Sequence, residues 1–176
     1  GPSIMPGGSK EAYQIVKPIL EAVSAKVGDE PCVDFMGNGS AGHYVKMVHN
    51  GIEYGMMQLL AESYDLLKQL GGLSNVELQT TYATWNEGRL QSFLVEITSE
   101  IFGQPDEFES GELIDYILDK AKQKGTGKWT SQNAMDYGIP VPTIDSAVTM
   151  RALSALKAER IEASKILAAE TQPSDV

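Results

Sequence analysis

Cysteine and histidine are nearly absent: Cys32 stands alone and only two histidines occur in 176 residues. An internal disulfide is excluded, as is any Cys/His zinc spacing. Positive charge is also short, with 14 Lys and Arg against 24 Asp and Glu, a net charge of −10. Binding a nucleic-acid backbone or an anionic membrane requires a clustered positive field, so neither is an expected partner. A small anion needs only a few local Lys or Arg. No apolar run approaches the roughly 20 residues that span a bilayer, and no basic-then-apolar leader opens the sequence. What is present is ordinary for a globular protein: 42% apolar residues and 7% aromatics. The expectation is a cytoplasmic protein with a real core.

Hydrophobic spacing divides the chain unevenly. Residues 3–5 lead into Pro6-Gly7-Gly8, after which Ala12, Ile15, Val16, Ile19, Leu20 and Val23 recur at helical intervals, with Pro18 marking a kink or a late start. A strand-like run from Cys32 to Met36 follows. Strand, helix and strand in so few residues cannot bury themselves. Residues 1–37 therefore read as the trailing edge of an α/β domain whose beginning lies outside the chain. From there the pattern is mainly α, a bundle-like domain over 38–176. Helices are predicted over 40–70, stopped by Gly71-Gly72, then from an N-cap at Ser74 to about 85, and over 90–101. Residues 103–111 read as a loop, and further helices are predicted over 112–122, 129–137 and 144–168. The tail 171–176 reads as frayed or as a linker.

The first of those long helices is unusual. With about 100° per residue, Lys46, His49, Asn50, Glu53 and Tyr54 share one face, together with Gly42. Tyr44, Val48, Ile52, Leu59 and Leu66 fall opposite, and are the expected packing face. A solvated polar stripe is one reading. Against it, Asn and Gly in mid-helix cost roughly 0.5–1 kcal/mol each relative to Ala, and a solvent face is ordinarily built from Glu, Lys and Gln. Tyr and His beside Lys and Glu suit a ligand. Glycines at 42, 51 and 55 also permit close approach of a backbone or a substrate.

A second segment, KGTGKWT at 124–130, combines Lys124 and Lys128 with Gly125, Gly127 and the hydroxyls of Thr126 and Thr130. Such a stretch presents backbone N–H groups and positive charge to a phosphate at a helix start. It is not a Walker A loop, which would need glycine where Lys122 stands and Ser or Thr where Trp129 stands. A glycine turn with solvated lysines is the alternative. Arg151, on a predicted helix, reads alone as a surface charge.

KMVHNGIEYG, KGTGKWT and SALKAERIEASK, in this order and spacing, resemble the decarboxylating 6-phosphogluconate dehydrogenase family over nearly the whole chain. The resemblance implies oxidation of 6-phosphogluconate at C3 by NADP, then loss of CO2 to give ribulose 5-phosphate, without a metal, as a step of the pentose phosphate pathway. It implies that Lys46 is the general base toward the C3 hydroxyl and Glu53 the acid that helps protonate C1. His49, Asn50 and Tyr54 would line the sugar, and Lys124, Thr126 and Arg151 would hold the sugar or its phosphate. It further implies a homodimer. A Rossmann domain whose GxGxxG-type loop binds NADP, a serine-glycine-glycine substrate segment and a C-terminal tail that completes the partner subunit's site are expected outside this chain. Alone, the chain is therefore expected to be inactive. Met56 departs from the Asp common at that position in the family. A helical assembly module without chemistry, or the helical domain of another hydroxyacid dehydrogenase, remains as an alternative, the latter disfavoured by the phosphate-side loop.

Overall fold

The computed structural model of the chain describes residues 2–167. Among them the elements are, in order, α1 (Lys10–Val23), β1 (Lys26–Val27), β2 (Glu30–Pro31), α2 (Ala41–Gln69), α3 (Asn75–Asn86), α4 (Phe93–Phe102), a single 3-10 turn (Leu113–Tyr116), α5 (Thr126–Asp136), α6 (Pro142–Ala155) and α7 (Lys157–Ser164). The chain is mainly helical, as its spacing predicts. It divides into two compact units, one made of residues up to 54 with 124–145, the other of 55–123 with those from 146 onward.

In the first unit, Ser9 caps α1 by accepting from the Ala12 N–H, and Pro18 lies inside the helix without ending it. The expected strand at 32–36 makes only two isolated parallel bridges, Ile4 with Val33 and Gly7 with Gly37. They are reinforced by Ile4 N–H donating to the Cys32 carbonyl and Met36 N–H to the Pro6 carbonyl. The strand–helix–strand order is present in parallel sense. It is too small to cover its own helix. Tyr13 alone of α1 is buried, its ring stacked on Phe35 at 5.4 Å, while Ile15, Ile19 and Val23 are 79%, 65% and 55% exposed.

Residues 37–42 spell G-x-G-x-x-G between this strand and α2, a pattern the sequence reading passes over in expecting any such loop elsewhere. Its glycines serve packing. A Cβ on Gly42 would collide with the Met5 carbonyl oxygen and stand 2.7 Å from Gly7 N, and one on Gly7 would stand 2.9 Å from the Gly39 carbonyl. Residues 5–7 thus close against the start of α2, leaving no room at Gly42 for a methyl group.

The second unit has the better core. Leu78 and Tyr82 of α3 and Val95 and Phe102 of α4 are buried together, with Leu60, Tyr64, Leu67, Leu73, Trp85 and Ile114 packed around them. The Tyr82 ring meets Phe102 edge-on at 5.1 Å. Its hydroxyl lies 2.6 Å from Ser63 Oγ and donates to the Leu60 carbonyl at 3.1 Å, so the one fully buried phenol is satisfied. Ser74 begins α3 with a reciprocal capping box to Glu77. Ser92, whose side chain accepts from Val95 N–H, moves the start of α4 to Phe93 from the predicted 90.

Two predicted helices differ from what forms. The span 112–122 is helical only over the 3-10 turn and is then irregular. The reason is competition from side chains of α6 and α7. Arg151 Nη1 donates to the Lys122 carbonyl at 2.7 Å, Ser154 Oγ accepts from Ala121 N–H at 2.9 Å, and Arg160 Nη2 donates to the Asp119 carbonyl at 3.0 Å. Backbone groups held in this way are not free to close helical turns. The span 144–168 breaks at Leu156, which sits at φ −84°, ψ 41°, where Arg160 also takes the Ser154 carbonyl at 3.1 Å. Position 168 and the predicted tail at 171–176 lie outside the described residues.

Candidate functional site

The polar face of α2 holds the residue types expected of a reactive surface. Lys46 is exposed and Asn50 half-buried. The side chains of His49 and Glu53 keep 44% and 39% of their surface, with Nδ1 of the imidazole 3.5 Å from Oε2 of the carboxylate. Nδ1 itself is enclosed and has no hydrogen-bond partner, so the exposure of the ring falls on its other atoms. At 1.5 Å rise per residue, Lys46 and Glu53 stand about 10 Å apart along the axis and about 20° apart around it. A bound molecule spanning that length meets an amine at one end and a carboxyl at the other.

Gly51 answers why a poor helix former sits in this face. A Cβ there would stand 2.7 Å from Thr130 Oγ1 and 2.8 Å from both Thr130 Cβ and Cγ2. On the other helix, a Cβ on Gly127 would stand 2.5 Å from Tyr54 Cδ2. Tyr44 closes the row by donating its hydroxyl to Asn133 Oδ1 at 2.6 Å. The pairs run 54 with 127, 51 with 130 and 44 with 133, so α5 lies antiparallel along the first half of α2. Each glycine admits the partner helix at a distance any side chain would forbid. Tyr54 is only 8% exposed, and its ring is the floor on which Gly127 rests.

That packing carries the KGTGKWT segment. Gly125 is the N-cap of α5 at φ 109°, a left-handed conformation suited to glycine, and the Trp129 ring lies over it, 3.2 Å from where a Cβ would be. The helix begins at Thr126, three residues earlier than predicted. Its opening amides receive no side-chain cap, and Lys124 and Lys128 flank them. A helix start of this kind favours an anion through both its N–H groups and its dipole.

Lys46, His49, Asn50, Glu53, Tyr54, Lys124 and Thr126 therefore fall in one compact unit. Arg151 falls in the other, where its guanidinium bonds to the Lys122 carbonyl; it is a structural anchor and not the bare surface charge suggested by the sequence. The stripe continues at intervals of three. Lys157 and Arg160 both bond to the Asp119 carboxylate, and those hydrogen bonds, with a smaller contribution from the two charges, depress its pKa from 3.8 to about 2. The SALKAER phrase thus has a local task that its i, i+3 spacing signals. The sequence presents Thr130 only as a hydroxyl beside the loop, and nothing in its spacing signals its place against α2.

One expectation is overturned. Most of the face of α2 expected to pack is open: Ile52, Leu59 and Leu66 are 52%, 56% and 57% exposed, while Val48 is half-buried and Tyr44, 49% exposed, touches α5 through its hydroxyl. The helix packs instead through Gly51 and Tyr54 in the first unit and through Leu60, Ser63, Tyr64 and Leu67 in the second. Glycine carries no weight in a hydrophobic pattern, so the closest helix contact was invisible to it. Among the described residues no group of three or more His, Cys, Asp or Glu is arranged to hold a metal ion, and no helix is long and apolar enough to cross a membrane.

The family model described as the C-terminal domain of 6-phosphogluconate dehydrogenase matches residues 42–176. A Bacillus subtilis protein named NADP(+)-dependent, decarboxylating 6-phosphogluconate dehydrogenase is 61% identical over 167 residues, 95% of this chain and 36% of that protein. A chloroplastic Arabidopsis thaliana protein of the same decarboxylating type is 58% identical over 95% of this chain and 34% of its own length. The chain thus spans about a third of the curated relatives it matches. Among solved structures, 6-phosphogluconate dehydrogenase of Plasmodium falciparum, described apo, with NADP+ and with 6-phosphogluconate, superposes with a TM-score of 0.91 at 48% identity, over 97% of this chain and 37% of that one. The 3-hydroxyisobutyrate dehydrogenase of Salmonella typhimurium shares the fold, with a TM-score of 0.61 at 18% identity over 89% of this chain and 48% of that chain.

Proposed function

Since this chain belongs to the 6-phosphogluconate dehydrogenase family, we propose that it supplies the substrate-side groups of an NADP-dependent enzyme that oxidises and decarboxylates 6-phosphogluconate to ribulose 5-phosphate. The observation that carries this reading is the locking of α5 onto α2 by Gly51, Thr130, Gly127 and Tyr54. It sets the loop with Lys124 and Thr126 and the face with Lys46, His49, Asn50 and Glu53 on one frame. Residues 1–37 form the trailing edge of a coenzyme domain and 38–176 the helical substrate and dimerisation domain. The open apolar face of α1 supports the first assignment, because a parallel strand pair with one helix leaves Ile15 and Ile19 for another layer. Leu59 and Leu66, seven residues apart and exposed, support assembly as a homodimer.

The G-x-G-x-x-G segment serves the packing of residues 5–7 against the start of α2, where Gly42 leaves no room for a side chain. NADP, the acceptor of the C3 hydride, is assigned to a coenzyme domain that this chain adjoins, and only the work of the chain's own groups is derived. Lys46 acts as the general base and takes the proton of the C3 hydroxyl. The resulting ammonium then polarises the C3 carbonyl while the C1 carboxylate leaves as CO2. Glu53 protonates the carbon that becomes C1 of ribulose 5-phosphate, and His49 and Asn50 orient the sugar oxygens. Tyr54 lines the sugar from its place under Gly127. Lys124 and Thr126 hold the phosphate, a remote anchor whose binding energy positions the reacting end.

The test is formation of NADPH and CO2 in equal amounts from 6-phosphogluconate and NADP+ by the full-length protein carrying this chain. Glu53→Gln should slow turnover with KM largely unchanged. The chain alone should form no NADPH. Failure of the full-length protein to form NADPH would refute the reading, and NADPH without CO2 would refute the decarboxylation.

A further inference from the structure

Thr130 is 5% exposed, and its single hydroxyl proton is shared between two acceptors on two helices. Oγ1 lies 3.0 Å from the carbonyl of Met47 in α2 and 2.8 Å from the carbonyl of Thr126 in the first turn of α5. The first of these is the residue after Lys46. The second belongs to the residue that, with Lys124, forms the phosphate-side loop. Ordinarily a helical threonine bonds back only to its own i−4 carbonyl. Here the same hydroxyl also reaches across to the neighbouring backbone, at the place where Gly51 brings Thr130 into van der Waals contact.

The register of the two helices is held by Tyr54 under Gly127, by the Tyr44–Asn133 hydrogen bond and by the Thr130 hydroxyl. The Thr130 bond, made to a backbone carbonyl, tolerates only a few tenths of an ångström of displacement. Sliding of α5 would leave Lys46, His49, Asn50 and Glu53 undisturbed relative to each other, since all four lie on α2. It would move Lys124 and Thr126 relative to them. The distance so controlled is the one between the reacting end of the substrate and its phosphate.

We propose that Thr130 is a positioning residue for the phosphate end of the substrate, its hydroxyl fixing the register of α5 on α2 and so the length of sugar phosphate the two helices accept. This rests on the function proposed above, and it separates Thr130 from a residue that merely stabilises the fold. A group that only adds stability changes the melting temperature and leaves the kinetics of the folded enzyme alone. A group that sets the phosphate anchor changes KM while the chemistry on α2 retains its rate.

The experiment compares Thr130→Val, which keeps the shape and removes the hydroxyl, with Thr130→Ser, which keeps the hydroxyl, in the full-length protein with 6-phosphogluconate and NADP+. For Thr130→Val, KM for 6-phosphogluconate should rise about ten-fold, the effect of about 1.4 kcal/mol, with kcat within about two-fold of the parent. Thr130→Ser should restore KM to within about two-fold, since it retains the bond. An unchanged KM in the valine variant overturns the proposal, as does a serine variant no better than valine, or a fall in kcat at constant KM. A parent protein that forms no NADPH refutes the functional reading itself and the proposal with it; a competent parent with an indifferent valine variant refutes the proposal alone.

Discussion

Replacing Gly51 by alanine sets two known effects against each other at the centre of the α2–α5 contact. Alanine is the better helix former by about 1 kcal/mol, so at an unpacked position of α2 the variant would be stabilised by that amount. Here the new methyl would stand 2.7 Å from Thr130 Oγ1 and 2.8 Å from two of its carbons. These are atoms near the backbone of a helical residue, not the free end of a long side chain, so relief requires the two helices to part. Overpacking of this kind costs typically 1–3 kcal/mol. The balance is a net loss of about 1 kcal/mol, a fall of a few degrees in melting temperature for a chain of this size. Chemical denaturation and thermal melting of Gly51→Ala against the parent measure it. In the Gly51→Ala, Thr130→Ala double variant two of the three close atoms are gone, and the losses should add to less than their sum. Stabilisation by about 1 kcal/mol in the single variant would refute the account of the packing, because it would mean that α5 does not press on α2 at this point.

Two further outcomes follow from the second unit. Asp119 is held at about 2 against an ordinary 3.8 by Lys157 and Arg160. A carboxyl depressed on folding contributes stability above its ordinary pKa and loses it as the pH falls through the folded value. The segment around Ala121 and Lys122 should therefore loosen between about pH 4 and pH 2, seen as backbone amide shift changes by NMR that Asp119→Asn makes pH-independent. Tyr82→Phe should cost about 1–2 kcal/mol in a denaturation experiment, because it strips a buried hydroxyl from Ser63 and the Leu60 carbonyl while leaving the ring on Phe102.

The parts of the fold visible in the sequence were those with local causes. Gly71 and Gly72 end the long helix, Ser74 begins α3, and the 3.6-residue spacing from Ala12 to Val23 belongs to a real helix. The parts that were hidden depend on distant partners. Residues 117–123 have helical composition, yet their backbone groups are taken by Arg151, Ser154 and Arg160 from some thirty to forty residues away. Leu156 interrupts a continuous helical pattern for a related reason. The candidate site is more legible than the contact beneath it. Lys46, His49, Asn50 and Glu53 declared themselves by residue type at helical intervals, whereas Thr130 became visible only once α5 lay across Gly51. The same contact explains the error over which face of α2 packs, since Ile52 and Leu59 outscore Gly51 on any hydrophobic scale.

The central claim is that the α2 face is chemical, with Lys46 as the base. Single-turnover formation of NADPH by Lys46→Met in the full-length protein, with saturating 6-phosphogluconate, tests it most directly. Methionine preserves the length of the side chain and the helix while removing the proton acceptor. The account predicts a loss of at least about a hundred-fold in the hydride step, the low end of what a positioned general base contributes, and no release of CO2. A Lys46→Met protein that forms NADPH at close to the parent rate would contradict it and return the face to a solvated stripe.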